Sequence, residues 1–146
     1  MDPVRFLSNH STGKMGYAIA ARAAMRGADA TLVSGPTALD TPHGVTRVDI
    51  VSARDMYDAV TSRAPEQDFI IKAAAVGDYR PAQTADEKLK KGDGEMNIEL
   101  TRNPDILAAL GKDKSRDSCC AASRWKRRTF SITPRASCAA RTVICL

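Results

Sequence analysis

A chain of 146 residues with 43% apolar content is the size of one domain and can bury a real core. No apolar run is long enough to cross a membrane, and the first residues, Met1 to Phe6, form no signal-like apolar region, so a cytoplasmic protein is expected. The formal charge of +5 would suit a nucleic-acid partner, but residues 116–146 hold seven basic residues against one acid, Asp117, which is +6 and leaves −1 for residues 1–115.

The elements follow in chain order. A polar loop, Ser8–Gly13, opens into an alanine-rich stretch from Lys14 to Arg26. Met15, Ala18, Ile19 and Ala23 stand there at helical spacing, and Gly27 supplies a stop. Ala30–Ser34 is a short apolar strand ended by Gly35-Pro36, and Arg47–Val51 is a second. Ser52 caps a helix over about 53–63. Asp68–Val76 is the strand most buried in character. After a polar stretch to Asp93, Met96–Thr101 alternates as a strand, and Asn103-Pro104-Asp105 opens a helix with Asn103 as its cap and proline at the first position. Strands alternating with helices of this length predict an α/β fold, an open parallel sheet of Rossmann-like form with helices on both faces. Such a sheet ordinarily starts with a strand feeding the first phosphate-binding turn. Here the chain enters the loop directly, so a first strand is expected to be missing.

Three segments are candidate sites. In Ser8–Gly16, small polar residues and glycines at a helix start expose backbone N–H groups that attract anions. A Walker A loop would need glycine at Ser8 and Ser/Thr at Met15, and a dinucleotide fingerprint finds only its Gly13–Gly16 half, so a decorated helix cap stays equally open. In Ala73–Pro81, small residues at the end of a strand let a ligand approach the backbone, and Asp78 could hold a ribose hydroxyl or a metal-bound water. A buried strand with a polar turn explains the same residues. Glu87–Gly92 carries a lysine cluster, either a solvated surface or a source of cations for a departing phosphate. His10 alone indicates no acid–base role. Cys119, Cys120, Cys138 and Cys145 show no Cys-x-x-Cys metal spacing, and the basic tail lacks the aromatic interleaving of nucleic-acid modules, so neither a metal site nor a nucleic-acid partner is expected.

Taken together, Asp2–Gly16, Ala74–Pro81, Lys88–Lys91 and Arg102–Leu107 resemble, in order and spacing, the motifs of the phosphopantothenoylcysteine synthetases, a match running from residue 1 to about 114. In bacteria such a synthetase is usually the C-terminal half of a bifunctional flavoprotein. The resemblance implies a ligase of coenzyme A synthesis. It would activate 4′-phosphopantothenate with CTP and Mg²⁺, form an acyl-cytidylate with release of pyrophosphate, and let the amine of cysteine displace CMP. By motif position, Asn9 is the catalytic asparagine at the reacting acyl group and Lys88 the lysine facing the nucleotide phosphates. Arg5, Ser11, Gly13, Lys14 and Lys91 would bind substrate or nucleotide, Ala74 and Ala75 would allow close approach of the nucleotide, and Asp78 would lie near the ribose or the metal. Intact members of the family are homodimers. Gly77 stands where many members have alanine.

The resemblance stops at both ends. The family's first strand with its Thr-Ala-Gly-Gly-Thr-type loop has no counterpart, and neither does its Gly-Phe-Ala-x-Glu-Thr motif. A neighbouring reading frame supplies the second: the codons of Trp125 and Lys126 must read GAA, glutamate, across their junction, and permitted codons from Ala121 onward yield Gly-Phe-Ala-Leu-Glu-Thr. The expectation is a partial synthetase domain over 1–115 and an out-of-frame basic tail over 116–146. The tail should be disordered from about residue 116, and the chain impaired or inactive as a ligase. Its alternatives are an inactive nucleotide-binding fragment and a short-chain-type oxidoreductase. The Tyr-x-x-x-Lys pair of the latter is absent, because Tyr17, Tyr57 and Tyr79 are followed four residues on by Ala21, Thr61 and Gln83.

Overall fold

Residues 1–90, 95–112, 119–122 and 141–145 are described by the computed structural model, with backbone alone at 119–122. The first helix, α1 (Lys14–Met25), ends where the sequence predicts: Gly27 has φ +84°, and Gly27 and Ala28 donate to the carbonyls of Ala24 and Ala23. This is a Schellman closure, which glycine enters without steric cost. Of the Met15, Ala18, Ile19 and Ala23 stripe, Ile19 and Ala23 pack against the core while Met15 and Ala18 are exposed. The most buried residues are Gly16, Tyr17 and Ala20, and the Tyr17 hydroxyl lies 3.1 Å from the buried Ser34 hydroxyl.

Strand β1 (Asp29–Ser34) pairs in parallel with β2 (Val45–Asp49). Helix α2 (Ala53–Arg63) carries a capping box, in which Asp55 N–H donates to Ser52 Oγ and Ser52 N–H returns a bond to Asp55 Oδ2. Strand β3 (Phe69–Lys72) is shorter than the expected 68–76, and its continuation carries the Ala74–Asp78 segment out of the sheet. A separate antiparallel pair joins β4 (Tyr79–Pro81) to β5 (Leu100–Arg102). Helix α3 (Ile106–Lys112) starts later than Asn103-Pro104 suggests: Asp105 Oδ1 accepts from Ala108 N–H, while Asn103 is engaged elsewhere.

The remaining strands come from the tail. The main sheet runs β2-β1-β7-β3-β6, all parallel, where β6 is Cys119–Ala122 and β7 is Arg141–Cys145. The expected disorder from residue 116 therefore does not hold for these two segments; the rest of the tail lies outside the described residues. Residues 1–13 hold no strand, and β7 occupies the position between β1 and β3. Its run Thr142-Val143-Ile144-Cys145 is what a strand covered on both faces requires: β-branched or apolar at every position.

Side-chain parity places helices on both faces. Leu32 and Ile144 pack with Tyr17 and Ala20 of α1 on one side. Val33, Ile70, Val143 and Cys145 pack with Met56 and Val60 of α2 and Ile106 of α3 on the other. No helix among the described residues is long and apolar enough to cross a membrane.

Candidate functional site

The loop from Asp2 to Gly13 lies across the end of the sheet and is held at two points. The first is Asp2, whose Oδ1 accepts from the Val4 and Arg5 amides at 2.9 and 2.8 Å, an Asx turn set by Asp-Pro. Its Oδ2 accepts from the Arg5 guanidinium and from the Leu89 amide at 3.1 Å. Arg5 in turn donates to the Leu89 carbonyl at 2.9 Å. The Arg5 guanidinium, followed by the backbone donors, holds the Asp2 carboxyl well below the usual carboxylate range. Arg5, Lys88, Leu89 and Lys90 thereby line one open depression of about 420 Å³. Arg5 is ion-paired with Asp2, so the excess positive charge along this hollow comes from Lys88 and Lys90, a balance that favours anions.

The second point is Asn9, whose amide NH₂ donates to the Ala75 carbonyl at 2.7 Å. Asn9 is itself exposed, and this bond sets it beside the small-residue segment that continues β3. Ala74 packs partly against the core, whereas Ala75 and Asp78 are exposed. Ser11 Oγ lies 3.4 Å from the Gly13 amide, and Gly13 adopts φ +72° as it enters α1. A side chain is strained in that backbone conformation. No side chain caps α1, so the first-turn amides beginning at Lys14 point toward the loop without a side-chain acceptor.

The expected residues therefore fall into two groups bridged by one loop: Arg5 with Lys88, and Asn9 with Ala74 and Ala75. Ser11, Gly13 and Lys14 form the helix entry behind them. Among the described residues no hydrogen bond or ion pair joins the Asp78 side chain to either group; its carbonyl accepts from the Asn103 amide at 2.8 Å. Lys91 lies outside the described residues.

Three further residues shape the site: Asp2, Lys90 and Asn103. Asp2 organises the cationic group, and Lys90 lines it. Asn103, expected as a helix cap, donates from its side chain to the Gly77 carbonyl at 2.8 Å and accepts from Arg80 at 3.2 Å, fixing the turn that presents Asp78. The Asp-Pro turn signal was visible, but its partner at Leu89 was not. For Asn103 the cap signal was satisfied two residues later.

The sequence model of the DNA/pantothenate metabolism flavoprotein C-terminal domain matches residues 1–123. The coenzyme A biosynthesis bifunctional protein CoaBC of Vibrio vulnificus is 54% identical over 112 residues, covering 75% of this chain and 28% of that protein. The protein of the same name from Escherichia coli is 54% identical over 114 residues, with the same coverage of 75% and 28%. That of Mycobacterium bovis is 54% identical over 112 residues, 75% of this chain and 27% of its own length. A crystal structure of the C-terminal domain of CoaBC superposes with a TM-score of 0.69 at 47% identity, covering 82% of this chain and 55% of the solved one. The chain thus spans 28% of the length of the first two relatives and 55% of the solved domain.

Proposed function

The chain belongs to the DNA/pantothenate metabolism flavoprotein C-terminal domain family, and on that premise we propose that its site serves the nucleotide-activated ligation of 4′-phosphopantothenate to cysteine in coenzyme A biosynthesis. The observation that carries the reading is the meeting of Arg5 with Lys88 and Lys90 around one depression, at the foot of the loop that seats Asn9 on Ala75.

The chemistry has to convert a carboxylate, whose oxide is a poor leaving group, into an acyl phosphate ester. The carboxylate attacks the α-phosphorus of CTP, the acyl-cytidylate forms and pyrophosphate departs. The cysteine amine then attacks the acyl carbon, loses a proton and expels CMP. Arg5, Lys88 and Lys90 would neutralise charge on the phosphates as pyrophosphate leaves. Asn9, held by Ala75 through its NH₂, would have its oxygen free to accept from the N–H of the incoming amine beside the acyl group. Ala74 and Ala75, without bulk beyond Cβ, leave the backbone open to the cytidine side. Mg²⁺ is usually held by one or two carboxylates together with substrate phosphates, which the exposed Asp78 fits. No group of three His, Cys, Asp or Glu side chains among the described residues forms a cage of protein ligands. The ion would supply further neutralisation of the leaving pyrophosphate.

The test is CTP binding by calorimetry and pyrophosphate release from CTP with 4′-phosphopantothenate and Mg²⁺. Replacing Lys88 by alanine should lower release by about 10²–10³-fold, the usual effect of removing one transition-state charge contact. A wild-type chain that neither binds CTP nor releases pyrophosphate would overturn the reading. Binding with slow turnover is the result expected of an impaired fragment. The homodimer belongs to this reading as well, supported by exposed Tyr79, Met96, Ile98 and Leu100 on and beside the β4–β5 pair. So does the division at residue 115: coding DNA whose neighbouring frame lacks the Gly-Phe-Ala-Leu-Glu-Thr string would remove the out-of-frame account of the tail.

A further inference from the structure

The Asp2 side chain is wholly buried although it stands in an exposed loop, and its partner Arg5 is 37% exposed. Burying a carboxylate costs solvation, so two oxygens fully used by donors need a reason beyond turn formation. The turn needs only Oδ1, on the Val4 and Arg5 amides. Oδ2 does something different: it accepts from Leu89 N–H, 87 residues away, while the Arg5 guanidinium that it orients donates to Leu89 C=O. Both backbone groups of Leu89 are thus gripped by the Asp2–Arg5 pair. The segment from Ala82 to Lys90 has no helix or strand of its own, and a second bond, Ala85 N–H to Met1 C=O at 2.9 Å, ties it to the same end of the loop. Leu89 is the residue between the two lysines that line the depression.

We infer that Asp2 is a positioning residue, whose Oδ2 fastens the Lys88–Lys90 segment to Arg5 and so sets the spacing of the three cations that receive an anionic ligand. The ligand side of this inference rests on the proposed function; the fastening itself does not. Asp2 touches no substrate and acts through Arg5 and Leu89. Phosphate chains are the class of ligand that cations lining one depression favour, because their charge is spread over several oxygens.

Asp2→Asn separates this role from a structural one. The asparagine oxygen can still accept from the Val4 and Arg5 amides and keep the turn, but its NH₂ then faces the Leu89 N–H, donor against donor. The experiment measures residue-resolved amide exchange and calorimetric affinity for inorganic pyrophosphate on the full chain, as wild type, Asp2→Asn and Asp2→Ala. In both variants the Leu89 amide should exchange faster and pyrophosphate should bind about tenfold more weakly, as expected when a buried hydrogen-bonded partner is lost. Amides of β1 should keep their wild-type protection, showing that the fold persists. If Asp2→Asn leaves both Leu89 exchange and affinity at wild-type values, Asp2 only shapes the turn and the inference falls. If the wild type binds no pyrophosphate, the proposed function fails, and Leu89 exchange still decides the fastening: acceleration in Asp2→Asn upholds it and no change overturns it.

Discussion

Asp2 has an acid-resistant charge. Its folded pKa is lowered chiefly by the Arg5 side chain, so its contribution to stability is present above the unfolded aspartate value of about 3.9 and is lost progressively as pH falls from there through the folded value. In a titration followed by carboxyl carbon shifts, Asp2 should show no inflection between pH 5 and 3, where exposed aspartates protonate. The stability difference between wild type and Asp2→Asn should stay constant down to about pH 4 and shrink only below it. A midpoint near 4 for Asp2 would contradict the buried ion pair. Asn9 and Asn103 show the other residue-scale device, an amide that holds a carbonyl of the β3–β4 connection, on Ala75 and Gly77 respectively. The identity of such residues was legible in the sequence, since Asn, Asp and Pro mark turns by local chemistry. Their partners were not. A bond spanning 66 or 87 residues leaves no periodicity for a sequence reading to detect.

Elements were legible wherever their ends are set locally. α2 starts after Ser52 as predicted because the cap and Asp55 lie three residues apart, and the Ser52 amide and hydroxyl keep the Asp55 carboxyl below its ordinary range. Replacing Ser52 by alanine should cost about 1 kcal/mol in urea unfolding. Strand ends were misjudged because a strand runs only as far as its neighbour: Lys72 pairs with Cys145, and the Ala73 amide makes the last bond to the Cys145 carbonyl. The same limit confines β5 to three residues opposite β4. β7 was not expected because the composition of the whole tail masked the four-residue buried run Thr142–Cys145 within it. Ile144, fully buried against α1, tests its weight: Ile144→Ala should destabilise the fold by about 2–5 kcal/mol, measured by the same unfolding. A cost below 0.5 kcal/mol, typical of a surface position, would deny β7 its place.

At the scale of the molecule, the parallel α/β architecture with helices on both faces was legible from alternation alone, and the strand order was not. No rule of local chemistry says that residues 141–145 insert between strands 29–34 and 69–72. Because β7 touches both, the halves of the sheet communicate through it. Removing 141–146 should abolish a single cooperative thermal transition by calorimetry, since β1–β2 and β3 would each keep an unpaired inner edge. The placement also has a consequence in time. At translation rates of about 5–20 residues per second, the 73 residues from Lys72 to Cys145 take roughly 4–15 s to make. During that interval the inner edges of β1 and β3 wait without their shared neighbour, each able to pair with another nascent chain. The centre of this sheet is therefore the part that a chaperone has longest to guard.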